Sequence, residues 1–193
     1  EPFSYNGKRF QFENVMLTPK PYQRGGPPLW IGAAYPEAIA RAGRLGDAWG
    51  ILPFWDPIPN LRSQASQYRE SAAAHGRDAK VVLMRDGWVA PTRKEAEQTF
   101  GPLWVEEMLF YWRWKLLSPN EDFTSEADFT IQNLSKYLVM GSPRECIEQL
   151  QMWKEVVGAD YVIMRFRLPL GPEPERVIDC IRQFGQDVIP HFH

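Results

Sequence analysis

Four apolar runs of strand length recur along this chain, each followed by a stretch of helical character: Pro28–Gly32, Asp47–Leu52, Lys80–Ala90 and Ala159–Phe166. Strands that are apolar almost throughout, rather than at every second residue, are buried on both faces. That is the pattern of a parallel sheet covered by helices. The expected fold class is therefore α/β, and four strand–helix units amount to half of an eight-stranded barrel. The sequence offers no obvious room for four more, and it opens on Glu1-Pro2-Phe3. The expected architecture is one domain over 1–193, the C-terminal half (about strands five to eight) of a TIM-type (β/α)8 barrel. On that expectation part of the active site comes from outside this chain.

Composition narrows the function classes. With 22 Lys and Arg against 24 Asp and Glu, the formal net charge is −2. A balance so near zero argues against nucleic acid or an anionic membrane surface as the main partner. No apolar run approaches the roughly 20 residues that span a bilayer, and no signal peptide opens the sequence. Cys146 and Cys180 both lie in apolar, helix-like surroundings, which points to buried thiols in a reducing cytoplasm rather than a disulfide. Eight tryptophans suggest a large aromatic pocket or a generous interface, without deciding between them.

The stretch 1–28 reads as an extended arm. Asn6-Gly7 between Phe3, Tyr5, Phe10 and Phe12 predicts a hairpin, and Pro19, Pro21, Pro27 and Pro28 keep the chain extended towards the first buried strand. Helices are expected over Pro36–Leu45, Asn60–His75, from a cap at Thr92 with Glu95 as its capping-box partner, over Ser142 to about Val157, and over Pro174–Phe184. A proline-interrupted loop, Pro53–Pro59, precedes the second of these. The stretch 100–138 breaks the strand–helix alternation with a dense aromatic segment (Trp104, Phe110, Tyr111, Trp112, Trp114) and an acidic loop, Ser118–Asp128. An insertion of that length is more often a binding element than scaffold. We expect it to be a lid or an oligomer contact over the barrel mouth, with Trp112 and Trp114 as lid residues; the alternative is that its rings pack on neighbouring helices.

In a parallel barrel, chemistry gathers at the C-terminal ends of the strands. That rule selects Gly32, Ala33 and Ala34, then Leu52 to Trp55, Arg85 to Trp88, and Arg165 to Gly171. Gly32-Ala33-Ala34 before the helix start at Pro36 lets backbone N–H groups approach a phosphate, although small residues serve tight packing equally well. Arg85, in an otherwise buried strand, needs an anionic partner: a ligand phosphate, sulfonate or carboxylate, or an ion pair with a carboxylate such as Asp86. Arg165 and Arg167 share a strand face, so one of them could reach the barrel mouth, or both could be solvated. The histidines are His75, His191 and His193, none at a strand end. No metal-ligand cluster, Ser-His-Asp set, dinucleotide fingerprint or phosphate-loop lysine motif is present, so a cofactor carrying the hard chemistry fits better than hydrolysis.

Several of these segments are recognisable together. Pro19-Lys20-Pro21-Tyr22-Gln23, Pro27 through Ala33 and Ala42 through Trp49 resemble the central signature of the bacterial luciferase-like monooxygenases, in that order. Gly141-Ser142-Pro143-Arg144-Glu145, Gly158-Ala159-Asp160, Arg165-Phe166 and Val188-Ile189-Pro190 resemble its closing segments. The resemblance implies a flavin-dependent oxidoreductase, a monooxygenase using reduced FMN and dioxygen on a small organic substrate, with a deazaflavin-dependent dehydrogenase as the alternative. It implies that Gly32, Ala33 and Ala34 lie near the cofactor, and that Arg85, Arg165 and Arg167 lie on the substrate or phosphate side. It also implies catalytic residues in the absent half, so that this chain alone is inactive. Ala33 and Ala48 stand where the family often has glycine. A third reading is a non-catalytic half-barrel, a binding or assembly module that pairs with a second copy. On every reading the expected partners are a small-molecule substrate and another copy or the missing half-barrel, with no nucleic acid, no membrane and no metal.

Overall fold

The computed structural model describes residues 1–51, 58–117 and 120–192. The strand-end candidates Leu52 to Trp55, most of the Pro53–Pro59 loop, the first residues of the Ser118–Asp128 loop and His193 lie outside the described residues.

The chain opens with a two-stranded antiparallel hairpin, β1 (Phe3–Asn6) and β2 (Gln11–Val15). Its turn is closed by the Gly7 N–H donating to Phe10 O at 2.9 Å, as Asn6-Gly7 predicts. Alternation then follows: β3 (Trp30–Gly32), α1 (Pro36–Leu45), β4 (Ala48–Ile51), α2 (Ile58–Ala74), β5 (Val81–Val89), α3 (Arg93–Arg113), α4 (Ile131–Leu134), β6 (Val139–Gly141), α5 (Pro143–Val157), β7 (Tyr161–Arg165) and α6 (Pro174–Asp187). All strand pairs after the hairpin are parallel. β3 pairs β4, β4 pairs β5, and β5 then pairs β7 along Val82–Asp86 and β6 along Gly87–Val89.

The helix boundaries follow from local chemistry. Ser142 and Glu145 form a complete capping box at the start of α5, and those hydrogen bonds hold the Glu145 carboxyl below its ordinary range. Gly158 ends α5 at φ 69°, where a side chain would be strained, and its carbonyl accepts from Arg69 Nη2 at 2.7 Å. Thr92 Oγ1 accepts from Glu95 N at 3.2 Å to cap α3.

Two features depart from the sequence expectation. The segment 100–138 is not separate from what precedes it: α3 runs unbroken from Arg93 to Arg113 through Pro102. Three-residue β6 carries almost no pattern of its own. It forms because Gly87 has no side chain: a Cβ there would stand 2.0 Å from Val139 O.

Register assigns each residue of the sheet to a face. Gly32, Gly50, Val82 and Tyr161 are neighbours in one row across four strands, so their side-chain positions share a face. Trp30 and Tyr161 share that face, and their rings meet at 5.7 Å although two strands intervene. Flat spacing of about 4.8 Å per strand would hold them some 14 Å apart, so the sheet curls towards this inner face. The outer face is packed by helices. Trp49 stacks near Tyr68 of α2, Arg85 lies over the Trp153 ring of α5, and Val89 N contacts Cys180 of α6. Trp49, Trp104 and Trp153 are fully buried and Trp88 nearly so, which places half of the eight tryptophans in the core rather than in a pocket or interface.

Both cysteines are free and buried. Burial pushes the Cys146 thiol up to about 12 and the Cys180 thiol up to about 11. Neither should react with an aromatic disulfide reagent at pH 8 in the native chain, and both should react once urea unfolds it. Rapid labelling of the folded protein would show that the helical layer over the sheet is not closed.

Candidate functional site

The inner face carries a buried ionic cluster at the C-terminal ends of β5 and β7. Asp86 and Arg165 are register partners. Arg165 Nε and Nη2 donate to Asp86 Oδ1 and Oδ2 at 2.5 and 2.7 Å, a two-pronged geometry that suits guanidinium and carboxylate. Trp104 Nε1 of α3 donates to Asp86 Oδ2 at 2.8 Å, and Arg165 Nη2 also donates to Glu107 Oε1 of α3 at 2.9 Å. Asp86 and Glu107 are buried, while Arg165 keeps 25% of its side-chain surface exposed. The hydrogen bonds to Asp86 hold Arg165 charged, well above its ordinary range. Tyr111, one turn beyond Glu107, lies against both; burial first, and then the Glu107 charge, pushes its phenol up.

These contacts show where α3 sits. Trp88 stacks on Phe100 at 5.9 Å, and Trp104 and Glu107 reach residues of the inner face, so α3 covers the upper part of that face. Below it the inner face is lined by Trp30, Tyr161 and Ile163, each about half exposed. In the row of Gly32, Gly50, Val82 and Tyr161, the two glycines leave bare backbone. Among the described residues, a Cβ built on Gly32 meets nothing within 4 Å, and one on Gly50 meets only Gly32 Cα at 3.9 Å and Ile31 O at 4.0 Å. Glycine weakens a strand, and no packing partner here demands it. Ala33 O accepts from Trp49 Nε1 at 2.9 Å, which fixes the turn into α1, while Ala34 stands exposed just before that helix.

The sequence candidates therefore separate. Gly32 and Ala34 lie at an open part of the inner face, and the Ala33 carbonyl is tied down by Trp49. Arg165 joins the mouth cluster. Arg85 faces the other side of the sheet: it is fully buried, donates to Met84 O at 2.8 Å and lies 4.1 Å over the Trp153 ring. The carboxylate named as its ion-pair alternative, Asp86, belongs to Arg165 instead, because adjacent strand residues point to opposite faces. Arg167 is exposed beyond the strand and is not brought to the cluster. Trp112 is half-buried against Phe129 at 5.6 Å, whereas Trp114 follows the last turn of α3 and is 67% exposed. Glu107 and Trp104 were missed as site residues. Their helical spacing (i, i+3) puts them on one face of α3, but only the fold shows that this face meets Asp86 and Arg165. Among the described residues no three His, Cys, Asp or Glu side chains converge as a metal site would require, and no helix is long and apolar enough to cross a membrane.

The sequence profile described as luciferase-like monooxygenase matches residues 1–160. An FMNH2-dependent dimethylsulfone monooxygenase from Pseudomonas putida is 26% identical over 97% of this chain and 52% of its own length. Among solved structures, the monooxygenase RslO1 from Streptomyces bottropensis superposes with a TM-score of 0.80 at 21% identity, over 100% of this chain and 56% of that one. A coenzyme F420-dependent tetrahydromethanopterin reductase from Methanopyrus kandleri gives 0.67 at 16% identity, over 98% and 58%. At these identities the structural likeness speaks for the fold. The chain spans about half the length of the curated relatives it matches.

The ion cluster makes a prediction about folding. Replacing Arg165 with Ala leaves Asp86 and Glu107 buried without a counter-charge and should cost about 3–5 kcal/mol in a urea melt. Arg167→Ala, at an exposed position, should stay within about 0.5 kcal/mol. Equal effects from the two variants would dismiss the cluster as an organising contact.

Proposed function

Because the chain belongs to the luciferase-like monooxygenase family, we propose that it supplies strands five to eight of a (β/α)8 barrel in a flavin-dependent monooxygenase acting on a small organic substrate. The observation that carries this reading is the bare inner wall at Gly32 and Gly50, beside Ala33 and Ala34 at the head of α1. A flat ring system can lie against two in-register glycines, where any side chain would stand in its way. Gly32, Gly50 and the Ala33–Ala34 turn would hold reduced FMN, which would supply the electrons for activating dioxygen. The chain's own contribution is the wall, the turn fixed by the Trp49–Ala33 hydrogen bond, and the roof formed by α3. Arg165 stands on the substrate side, above that wall. Trp112, in the last turn of α3, and Trp114, just past it, are the proposed lid that would keep the pocket dry.

The FMN-dependent relative named above favours reduced FMN. The deazaflavin alternative is supported by the likeness to an F420-dependent reductase, which shares the fold. Either cofactor suits an enzyme of the cytoplasm, where reduced cofactors are available.

The chain described here presents an open wall, so FMN should bind it only weakly. Titration into the purified chain, followed by 1H–15N spectra, should perturb the Gly32 and Gly50 amides with an affinity weaker than micromolar. Gly32→Val should abolish the perturbation without unfolding the chain, because no described residue lies within 4 Å of the added Cβ. Micromolar or tighter binding, or perturbation confined elsewhere, would overturn this assignment. The same titration with F420 ranks the two cofactors.

Association is the second expectation. Among the described residues β3 pairs only β4, and β7 pairs only β5, so each presents a free edge beside the apolar inner face. Free edges and apolar faces of this kind are covered in stable proteins. Light scattering at high concentration should show a dimer or larger species; a clean monomer removes the assembly reading.

A further inference from the structure

Strand β7 is covered differently from the strands beside it. A parallel sheet is ordinarily buried on both faces. On the outer face of β7, α5 and α6 leave between them a cavity of about 560 Å³. Alternation along the chain sends Val162, Met164 and Phe166 to that side, where they form its floor. Leu150 of α5 and Phe184 of α6, both buried, form its walls, and Phe184 meets Phe166 edge-on at 5.0 Å. Ile181 and Ile189 stand at its rim, each about half exposed.

The cavity is long and narrow. Its floor runs from Asp160 to Phe166, about 20 Å at roughly 3.3 Å per residue. Spread along that length, the volume of about 560 Å³ has a cross-section of about 28 Å². That is room for one extended hydrocarbon chain and too little for a ring system lying across it. The charged lining residues, Lys154 in the last turn of α5 and Asp160 just before β7, share one end. Asp160 is already used, since its Oδ2 accepts from Val81 N at 2.8 Å. Lys154 enters no ion pair among the described residues. Arg69 donates to Val157 O and Gly158 O at 3.1 and 2.7 Å, which offsets the partial negative charge of the end of α5. Two cations against one committed carboxylate favour a negative group at this end.

We propose that this cavity binds a straight-chain aliphatic carboxylate of medium length, taken up as the free monomer. The tail lies along β7 between α5 and α6, and the carboxylate pairs with Lys154. Apolar walls with a charged group at one end are what such a molecule needs, because each buried methylene is favourable and the head keeps a counter-charge. The site is on the other side of the sheet from Gly32 and Gly50, so it goes beyond the flavin reading and does not depend on it.

The test titrates decanoate, octanoate and decylammonium into the full chain without flavin, each below its micelle-forming concentration. The Val162 and Met164 amides are the reporters in 1H–15N spectra. Decanoate should shift both, and should bind about tenfold more tightly than octanoate, which lacks two of its methylenes. It should also bind at least tenfold more tightly than decylammonium, which has the same tail and the opposite charge. Lys154→Met, at an exposed position, should bring the decanoate-to-decylammonium ratio close to one. Ile181→Asp, at the rim, should weaken decanoate at least tenfold. The wild-type ranking of the three probes decides the matter should either variant not fold. Equal affinity for the two heads, affinity independent of tail length, or a ratio unchanged in Lys154→Met would each overturn the proposal. So would Val162 and Met164 amides that ignore all three probes, the result expected if a second copy fills the cavity. Shifts confined to the Gly32 and Gly50 amides would place the tail on the inner face and overturn it as well. Failure of FMN to bind leaves the probe ranking standing, and failure of the probes leaves the cofactor wall standing.

Discussion

The contact on which the rest of the arrangement depends is the pairing of Asp86 with Arg165 across β5 and β7. Placing two charges inside a protein costs several kcal/mol each in lost hydration, and their attraction offsets this only when geometry is good and the remaining polar atoms are occupied. Here the geometry is two-pronged, and Trp104 and Glu107 occupy much of what remains. The result is less a source of stability than a constraint on position. Aligning Asp86 with Arg165 agrees with the register of the two strands, and the bonds from Trp104 and Glu107 then fix where α3 crosses the inner face. An apolar replacement of similar volume could hold the strands together, but it would not tell α3 which turn belongs over them.

Above and below that cluster the inner face has two characters. The upper part is roofed by α3 and closed by rings such as Phe100 and Trp104. The lower part is lined by Trp30, Tyr161 and Ile163 and stays partly open to solvent. The glycine row runs through this lower part and ends at Tyr161. The outer face is packed by helices α1, α2, α5 and α6, except at β7, where Val162 and Met164 line a cavity of about 560 Å³ between α5 and α6. The open inner face with its bare backbone at Gly32 and Gly50 is suited to holding a flat ligand, which is the basis of the proposed cofactor site.

The aromatic content divides in the same way. Trp49, Trp104 and Trp153 contribute to the core, and the Arg85 guanidinium lies over the Trp153 ring at 4.1 Å, a favourable contact for a buried cation. Trp114 and Phe110 lie tilted against each other at 5.9 Å near the end of α3 and remain exposed, so the crowding of rings in that helix is resolved by sending some inward and leaving others on the surface. The hairpin rings Phe3, Tyr5 and Phe12 pack among themselves in a small cluster of their own.

Much of the architecture was legible in the chain itself. The four apolar runs announce β3, β4, β5 and β7, Ser142-Pro143-Arg144-Glu145 announces α5, and Asn6-Gly7 announces the hairpin. In each case the signal is local: burial on both faces, a capping geometry, a turn that needs particular residues. The order of the motifs was enough to name the family. What the sequence by itself could not decide is which side of the sheet each residue serves. Arg85 and Asp86 are neighbours in the chain and were candidates for one ion pair, yet alternation along a strand sends one to the helices and the other to the inner face. Glu107 and Arg165 are 58 residues apart, and nothing local to either marks it as the other's partner. Strand β6 exists because Gly87 lets another backbone approach, and the open row at Gly32 and Gly50 exists because two strands happen to align. Local chemistry determined the elements; the register between strands and the crossing of α3, both long-range contacts, decided the site.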